Sequence, residues 1–342
     1  MTPRRRVVVV GAGVAGLTAA RYLSQSFDVM VVDKGRKVGG RLATRRIGGA
    51  TFDHGAQFIT THTPEFAQLV AGWERAGVAR QWFEGRTGPD GVIDADGHIR
   101  FRGVATMRAI AEHLAEGLDV RVSTQVVAVE PSDAGWRIRL EDETQLVADA
   151  VVLTAPVPQS LALLAAGSVR MSAADVQALQ AIRYEPCLAI LATLDGASGL
   201  GDPGAVLPSA GPISWMADNH LKGVSAIPAV TLHATADFSR SHWDDGDEIV
   251  IAELLRSAGL SARPLADQVH VQRWKFARPT TIHPERFLVA EGVPPLVFAG
   301  DAFGGAKVEG AALSGTAASE ALASLLGTAD SGGSTEARMD DR

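Results

Sequence analysis

Gly11, Gly13 and Gly16, in "VVVVGAGVAGLTAARYL", are followed by Asp33, 20 residues after Gly13. That spacing is what a dinucleotide requires. Gly11 permits a tight turn, Gly13 removes the Cβ that would block a diphosphate, and Gly16 lets helix and strand approach closely. The surrounding backbone of Ala12, Val14 and Ala15 opens a helix whose free N–H groups and dipole favour the phosphates. Asp33, with Lys34 after it, ends the next strand and can accept hydrogen bonds from ribose hydroxyls. NAD and FAD present the same ADP half, so this motif does not separate them.

Two further segments point to FAD. Gly39-Gly40-Arg41 adds an accessible turn and a fixed cation beside a diphosphate. Far along the chain, Gly300-Asp301 follows "LVFA", and Val308-Glu309-Gly310-Ala311 opens a last helix. An NAD domain has no use for this second half. In an FAD site Asp301 suits the ribitol, and the helix start suits flavin N1 and O2, where the reduced ring is negative. The competing reading is that Gly304, Gly305 and Gly310 only shape a loop and a close helix contact.

These residues need a scaffold, and the hydrophobic pattern supplies one. Val7 to Val10 read as a buried strand, Val14 to Ser26 as a helix and Asp28 to Val32 as a second buried strand, a βαβ unit. A Gly- and Arg-rich loop follows from Gly35 to Gly49, then helices at 64–76 and 106–116. "DVRVSTQVVAVE", "WRIRLED" and "QLVADAVVLTAP" alternate as strands, the last ending in Thr154. Helices near 158–166 and 172–181 precede amphipathic strands at 185–194 and 229–235.

The expected fold is α/β: a discontinuous Rossmann-like FAD domain with parallel sheet (1–65, 100–157 and 266–326) and a substrate domain with antiparallel sheet (66–99 and 158–265). Residues 327–342, "GTADSGGSTEARMDDR", are too polar to bury a core and read as a disordered tail.

Composition limits the alternatives. The 342 residues are 46% hydrophobic and 21% charged, an ordinary globular balance. A net charge of -7 without a basic stripe argues against nucleic acid as a partner. The single cysteine, Cys187, excludes an internal disulfide and reads as a small buried hydrophobe. Arg4 to Ala20 imitates a signal peptide, but its glycines and the strand that follows argue against cleavage; no run spans a bilayer, so the expectation is a cytoplasmic protein. No HExxH, clustered metal spacing or GxSxG elbow is present.

With these pieces assembled, the chain resembles the FAD-dependent amine oxidase superfamily and, within it, the bacterial renalases, over roughly residues 5 to 326. "GAGVAGLTAA", "DKGRKVGGRLATRR" and "GDAFGGAKVEGAALSG" are shared widely; "DHGAQF", "LHAT" with a following "SR", and "RWKFARP" point more narrowly to renalase-like proteins. The resemblance implies non-covalent FAD and oxidation of 2- or 6-dihydro isomers of NAD(P), with oxygen reduced to hydrogen peroxide. Removing hydride from such a ring makes an aromatic pyridinium, so no protein base is needed.

The same resemblance assigns side chains. "DHGA" (His54, Gly55, Ala56) with Gln57 and Phe58 is implied to pass beside the flavin, and Val126 to meet the adenine through its backbone. His233 in "TLHAT" and Gln57 are candidates to bind substrate, and Trp215, Asn219 and Trp274 to line the pocket. Each has a packing alternative: Gln57 as a turn residue, His54 and His233 as hydrogen-bonded core histidines, the tryptophans as filling. Lys275 in "RWKFARP" matches a lysine that lies near flavin N5 in amine and polyamine oxidases, or is a solvated strand residue. It keeps an amine as a rival substrate; a flavin-binding sensor is the non-enzyme rival.

Overall fold

Four consecutive valines, Val7 to Val10, lie at the centre of the molecule because neither face of their strand meets water. In the computed structural model, which describes residues 4–88 and 90–331, strand Arg6–Val10 is flanked in parallel by Ala150–Leu153 and Asp28–Val32. Leu296–Phe298 and Asp119–Arg121 extend the sheet in parallel on either side, and Leu288–Val289 closes one edge antiparallel. Val7 and Val9 face a core containing Leu17 of the first helix (Val14–Leu23) and Leu322 of the last (Val308–Ser331). Val8 and Val10 face a second core with Trp136 and Ile138 of a three-stranded antiparallel sheet over 126–148. A strand buried on both faces requires this unbroken apolar run.

The first and last helices touch backbone to backbone. A methyl group on Gly315 would lie 2.3 Å from the Ala15 carbonyl oxygen, so only glycine allows the approach.

The second sheet is antiparallel, in the order Ala205–Val206, Ile213–Asp218, Ala229–Ala234, Arg183–Leu194 and Pro264–Thr281. Its outer face packs on helix Asp247–Ala258 through Val250 and Leu254. Its inner face meets a hairpin, Thr44–Ile47 with Ala50–Asp53, where Phe52 packs against Leu191 and Ala229.

Several expectations are corrected. The substrate portion does not stop at 265: Pro264–Thr281 pairs with Arg183–Leu194 along its length, because each strand offers an alternating face to the same core. Phe66, Val70 and Trp73 of helix Pro64–Arg75, expected with the substrate portion, share the core of Val7 and Val9. The loop from Gly35 to Gly49 contains strand Thr44–Ile47. Helix Asp247–Ala258 is an element beyond those expected from the sequence. The last helix continues to Ser331, through the start of the expected disordered tail, since nothing from Gly327 to Ser331 is a proline; residues 332–342 lie outside the described residues.

Candidate active site

A cleft of about 1940 Å³ draws its lining from both large sheets and from the hairpin that joins them. At one end lies the glycine turn. Gly11 has φ +117°, and a Cβ there would sit 2.4 Å from Thr154 Oγ1; one on Gly16 would sit 2.0 Å from the Gly11 carbonyl oxygen. A Cβ on Gly13 would meet nothing within 4 Å. Thus two glycines serve the fold, while the third faces open space that a diphosphate can fill. Asp33 lines the cleft and also shapes the turn, accepting from Ala12 N at 2.7 Å and Gly35 N at 2.6 Å. Val14, Ala15, Lys34, Gly40, Val126 and Thr154 line the same end, whereas Ala12 and Gly16 lie behind the surface.

Arg41 and Asp301 join the two distant halves in a bidentate pair, with both N–O distances 2.6 Å. Burial disfavours the Arg41 charge, but Asp301 outweighs it and holds the guanidinium above its ordinary value. Gly300 N donates to Ser314 Oγ at 2.8 Å, fixing the end of the Leu296–Phe298 strand to the last helix. Val308 and Ala311 of that helix reach the cleft. Glu309 and Gly310 do not. The Glu309 carboxylate instead accepts from His62 N at 3.0 Å, Thr63 N at 2.8 Å and Thr63 Oγ1 at 2.8 Å, tying the last helix to the start of helix Pro64–Arg75. Gly310 packs on Gly305.

Farther along, His54, His233 and Trp274 form an aromatic wall. The His54 carbonyl oxygen accepts from Trp274 Nε1 at 2.9 Å and from His233 Nε2 at 3.2 Å, so the His233 proton sits on Nε2. The His54 ring stacks on Trp274, centroids 5.4 Å apart, and its Nδ1 is buried without a protein partner. Burial, then the positive charge of Arg45, pushes the His54 pKa down to about 3; burial pushes His233 down to about 4. Both imidazoles are neutral at pH 7. Gly55, Ala56 and Lys275 also line the cleft, and the Lys275 Nζ sits 5.8 Å from the Phe276 ring centroid. Cys187 lines it too, contrary to the expectation of a core hydrophobe, though burial raises its thiol to about 12.

Behind this wall lies a buried polar network. Asp53 Oδ2 accepts from Lys222 Nζ at 3.0 Å, and Oδ1 accepts from Thr44 Oγ1 at 2.8 Å and Met107 N at 3.0 Å. Burial pulls the Lys222 ammonium below its ordinary value, and Asp53 opposes that pull. Gln57 and Asn219 belong here and not in the cleft. Gln57 Nε2 donates to the Asp53 carbonyl at 2.7 Å, and Asn219 Oδ1 accepts from Asp53 N at 3.1 Å. Both amides satisfy the backbone of the Asp53-His54 turn, which is why they point inward. Phe58 and Trp215 likewise leave the cleft for an aromatic cluster, with centroids 5.2 Å apart and Trp82 beside Trp215.

Sequence reading missed Lys222 because its partner lies 169 residues away. It also passed over Arg45, Arg46 and Arg108, although the first two close the quoted segment "DKGRKVGGRLATRR". Charge in the cleft makes that omission matter: eleven Lys and Arg line it against four Asp and Glu, in a chain whose net charge is -7. Among the described residues no group of three or more His, Cys, Asp or Glu is placed to hold a metal.

Comparison with known proteins bears on what the cleft holds. Residues 9–73 match the NAD(P)-binding Rossmann-like domain family, and residues 75–323 match the family described as flavin containing amine oxidoreductase. The chain belongs to the flavin-containing amine oxidoreductase family. Mouse renalase is 24% identical over 317 residues, covering 84% of this chain and 92% of that protein. A zeta-carotene-forming phytoene desaturase of Myxococcus xanthus is 48% identical over 59 residues, 17% of this chain and 12% of that one. A cofactor-binding variant of putrescine oxidase superposes with TM-score 0.69 at 15% identity, covering 94% and 99% of the two chains. A fatty acid isomerase from P. acnes that produces CLA gives 0.62 at 13%, covering 95% and 98%. These structural likenesses establish the fold.

Membership in this family of oxidoreductases implies a flavin cofactor, and the residues present fit one. The open face over Gly13 suits its diphosphate, Arg41 and Asp301 its linker, and Val308 with the aromatic wall its ring. No helix among the described residues is long and apolar enough to cross a membrane.

Proposed function

We propose that this protein is an oxidase with non-covalently bound FAD that takes hydride from a dihydronicotinamide nucleotide, the 2- or 6-dihydro isomer of NAD(P). When bound, FAD supplies the hydride acceptor and delivers the electrons to oxygen, forming hydrogen peroxide. The observation that carries the substrate class is the uncharged aromatic wall of His54, His233 and Trp274, with the cationic Lys275 beside it in a cleft rich in Lys and Arg. An electropositive cleft attracts a phosphorylated nucleotide and repels an ammonium group. Full-length similarity to mouse renalase supports the same class.

The chain's own residues have modest tasks in this chemistry. His54, His233 and Trp274 present an uncharged flat surface against which a dihydropyridine ring can stack. The two hydrogen bonds into the His54 carbonyl fix that surface, and the Asp53–Lys222 network fixes the turn beneath it. Holding the two rings in a reactive orientation accounts for the catalysis, because aromatisation drives the hydride off without a base.

Lys275 favours a second reading, amine oxidation, since it lines the cleft next to the wall. One anaerobic experiment separates the two. Protein reconstituted with FAD is titrated with 2- and 6-dihydro isomers of NAD(P) and with a panel of small amines, following flavin absorbance. Bleaching by the dihydronucleotides is expected; bleaching by an amine alone overturns the proposal.

A further inference from the structure

The two ring nitrogens of His233 have different surroundings. Nε2 donates to the His54 carbonyl oxygen at 3.2 Å, and a carbonyl can only accept, so the proton of the ring is fixed on that side. Burial, with the Lys222 charge behind the wall, keeps a second proton off the imidazole at pH 7. Nδ1 is therefore a bare lone pair. It has no partner among the described residues, yet it is not sealed in as the unpartnered Nδ1 of His54 is, and His233 lines the cleft.

Donors of the protein that line the cleft around this ring are turned onto the backbone. Ser214 Oγ donates to the His233 and Ala234 carbonyls at 3.1 and 3.0 Å, Cys187 Sγ to the Ala234 carbonyl at 3.7 Å, and Gln272 Nε2 to the Arg273 carbonyl at 3.3 Å. Ala189, the register partner of His233 on strand Arg183–Leu194, is apolar. What Nδ1 accepts must come from a ligand, as an N–H or O–H group, because a half-buried lone pair left unpaired costs free energy. On the dihydropyridine ring proposed to stack here, the ring nitrogen bears the ribose, so the carboxamide carries the N–H donors.

We infer that His233 Nδ1 accepts a hydrogen bond from the carboxamide N–H of the substrate, which makes His233 the residue that selects a nicotinamide ring over a nicotinate ring. The inference rests on the nucleotide reading given above and deepens it. A carboxylate in that place sets lone pairs against a lone pair and leaves Nδ1 without a donor. The charge of the cleft alone favours the carboxylate, so a preference for the amide cannot come from the field. Recognition is by hydrogen bonding, with no bond made or broken.

The test uses the FAD-loaded protein. Dissociation constants for the oxidised mononucleotides of nicotinamide and of nicotinic acid are read from perturbation of the flavin spectrum. Wild type is expected to bind the amide at least about tenfold more tightly than the acid, the scale of one buried polar group left unpaired. His233→Gln can keep a donor to the His54 carbonyl but not the acceptor at the Nδ1 position, and it loses that preference. His233→Asn, whose side-chain oxygen falls near the place of Nδ1, retains part of it and so separates the acceptor from damage to the wall.

Equal wild-type affinities, or tighter binding of the acid, overturn the assignment, as does a His233→Gln variant that keeps the preference or a His233→Asn variant that loses it equally. A His233→Gln variant that loses FAD affinity with its amide preference intact gives Nδ1 to flavin N3–H and overturns it too. If dihydronucleotides bleach the flavin but amide and acid bind alike, the functional proposal stands and this one falls. If none bleaches it, the functional proposal falls, and the amide-to-acid ratio still decides the role of His233; binding of neither mononucleotide overturns that role.

Discussion

At the scale of single residues, the three motif glycines divide into two kinds, and substitution tells them apart. Gly13→Ala places its methyl in open space, so the cofactor-free protein keeps its thermal midpoint while FAD affinity falls about tenfold or more, measured by fluorescence titration. Gly16→Ala drives a methyl to within 2.0 Å of the Gly11 carbonyl oxygen, so the cofactor-free midpoint itself drops. Histidines make a second prediction at this scale. The unfolded chain protonates His54 and His233 near 6.5, the folded protein only near 3 and 4. The stability their neutral forms confer is complete above pH 6.5 and is lost as pH falls toward 4. The thermal midpoint is expected to decline across that window, and His233→Gln to flatten the decline; an unchanged slope would remove His233 from the account.

At the scale of elements, the Asp53–Lys222 pair locks the Thr44–Asp53 hairpin to the segment after strand Ile213–Asp218, with both side chains fully buried. Lys222→Met leaves the carboxylate buried and unpaired, which costs about 3–5 kcal/mol by urea denaturation; adding Asp53→Asn recovers part of it. Local sequence could not have announced this pair. Strand Arg6–Val10, the first helix and strand Asp28–Val32 were legible because continuous valines, motif glycines and one acidic residue agree within a short span. The inward turn of Gln57 and Asn219 was not, because it depends on backbone groups of Asp53 that only the folded hairpin presents. The place of strand Pro264–Thr281 was not legible for a related reason: its pattern fits either sheet, and register with Arg183–Leu194 decides. The glycine turn and the Asp301 segment line one cleft as their spacing suggested, whereas Lys222 gains meaning only when the fold brings it to Asp53.

At the scale of the whole molecule, an electropositive cleft in a chain of net charge -7 is a steering device. Association of an anionic nucleotide is expected to slow steeply as ionic strength rises from about 0.01 to 0.15 M, where the screening length shrinks from about 30 to 8 Å. Stopped-flow rates of flavin bleaching at several salt concentrations check this, and salt-independent rates would deny the cleft any such role. Acid precipitation is likewise expected to release the yellow chromophore into the supernatant, as non-covalent attachment requires. The contact of Gly315 with Ala15 has one more consequence, for the order of events during synthesis. The opening βαβ unit leaves the ribosome early, yet its outer helix and its central sheet stay uncovered until Leu296–Phe298 and the helix from Val308 emerge. The nascent βαβ unit therefore waits as an incomplete fold, and cofactor capture belongs to the moments after the helix from Val308 has emerged.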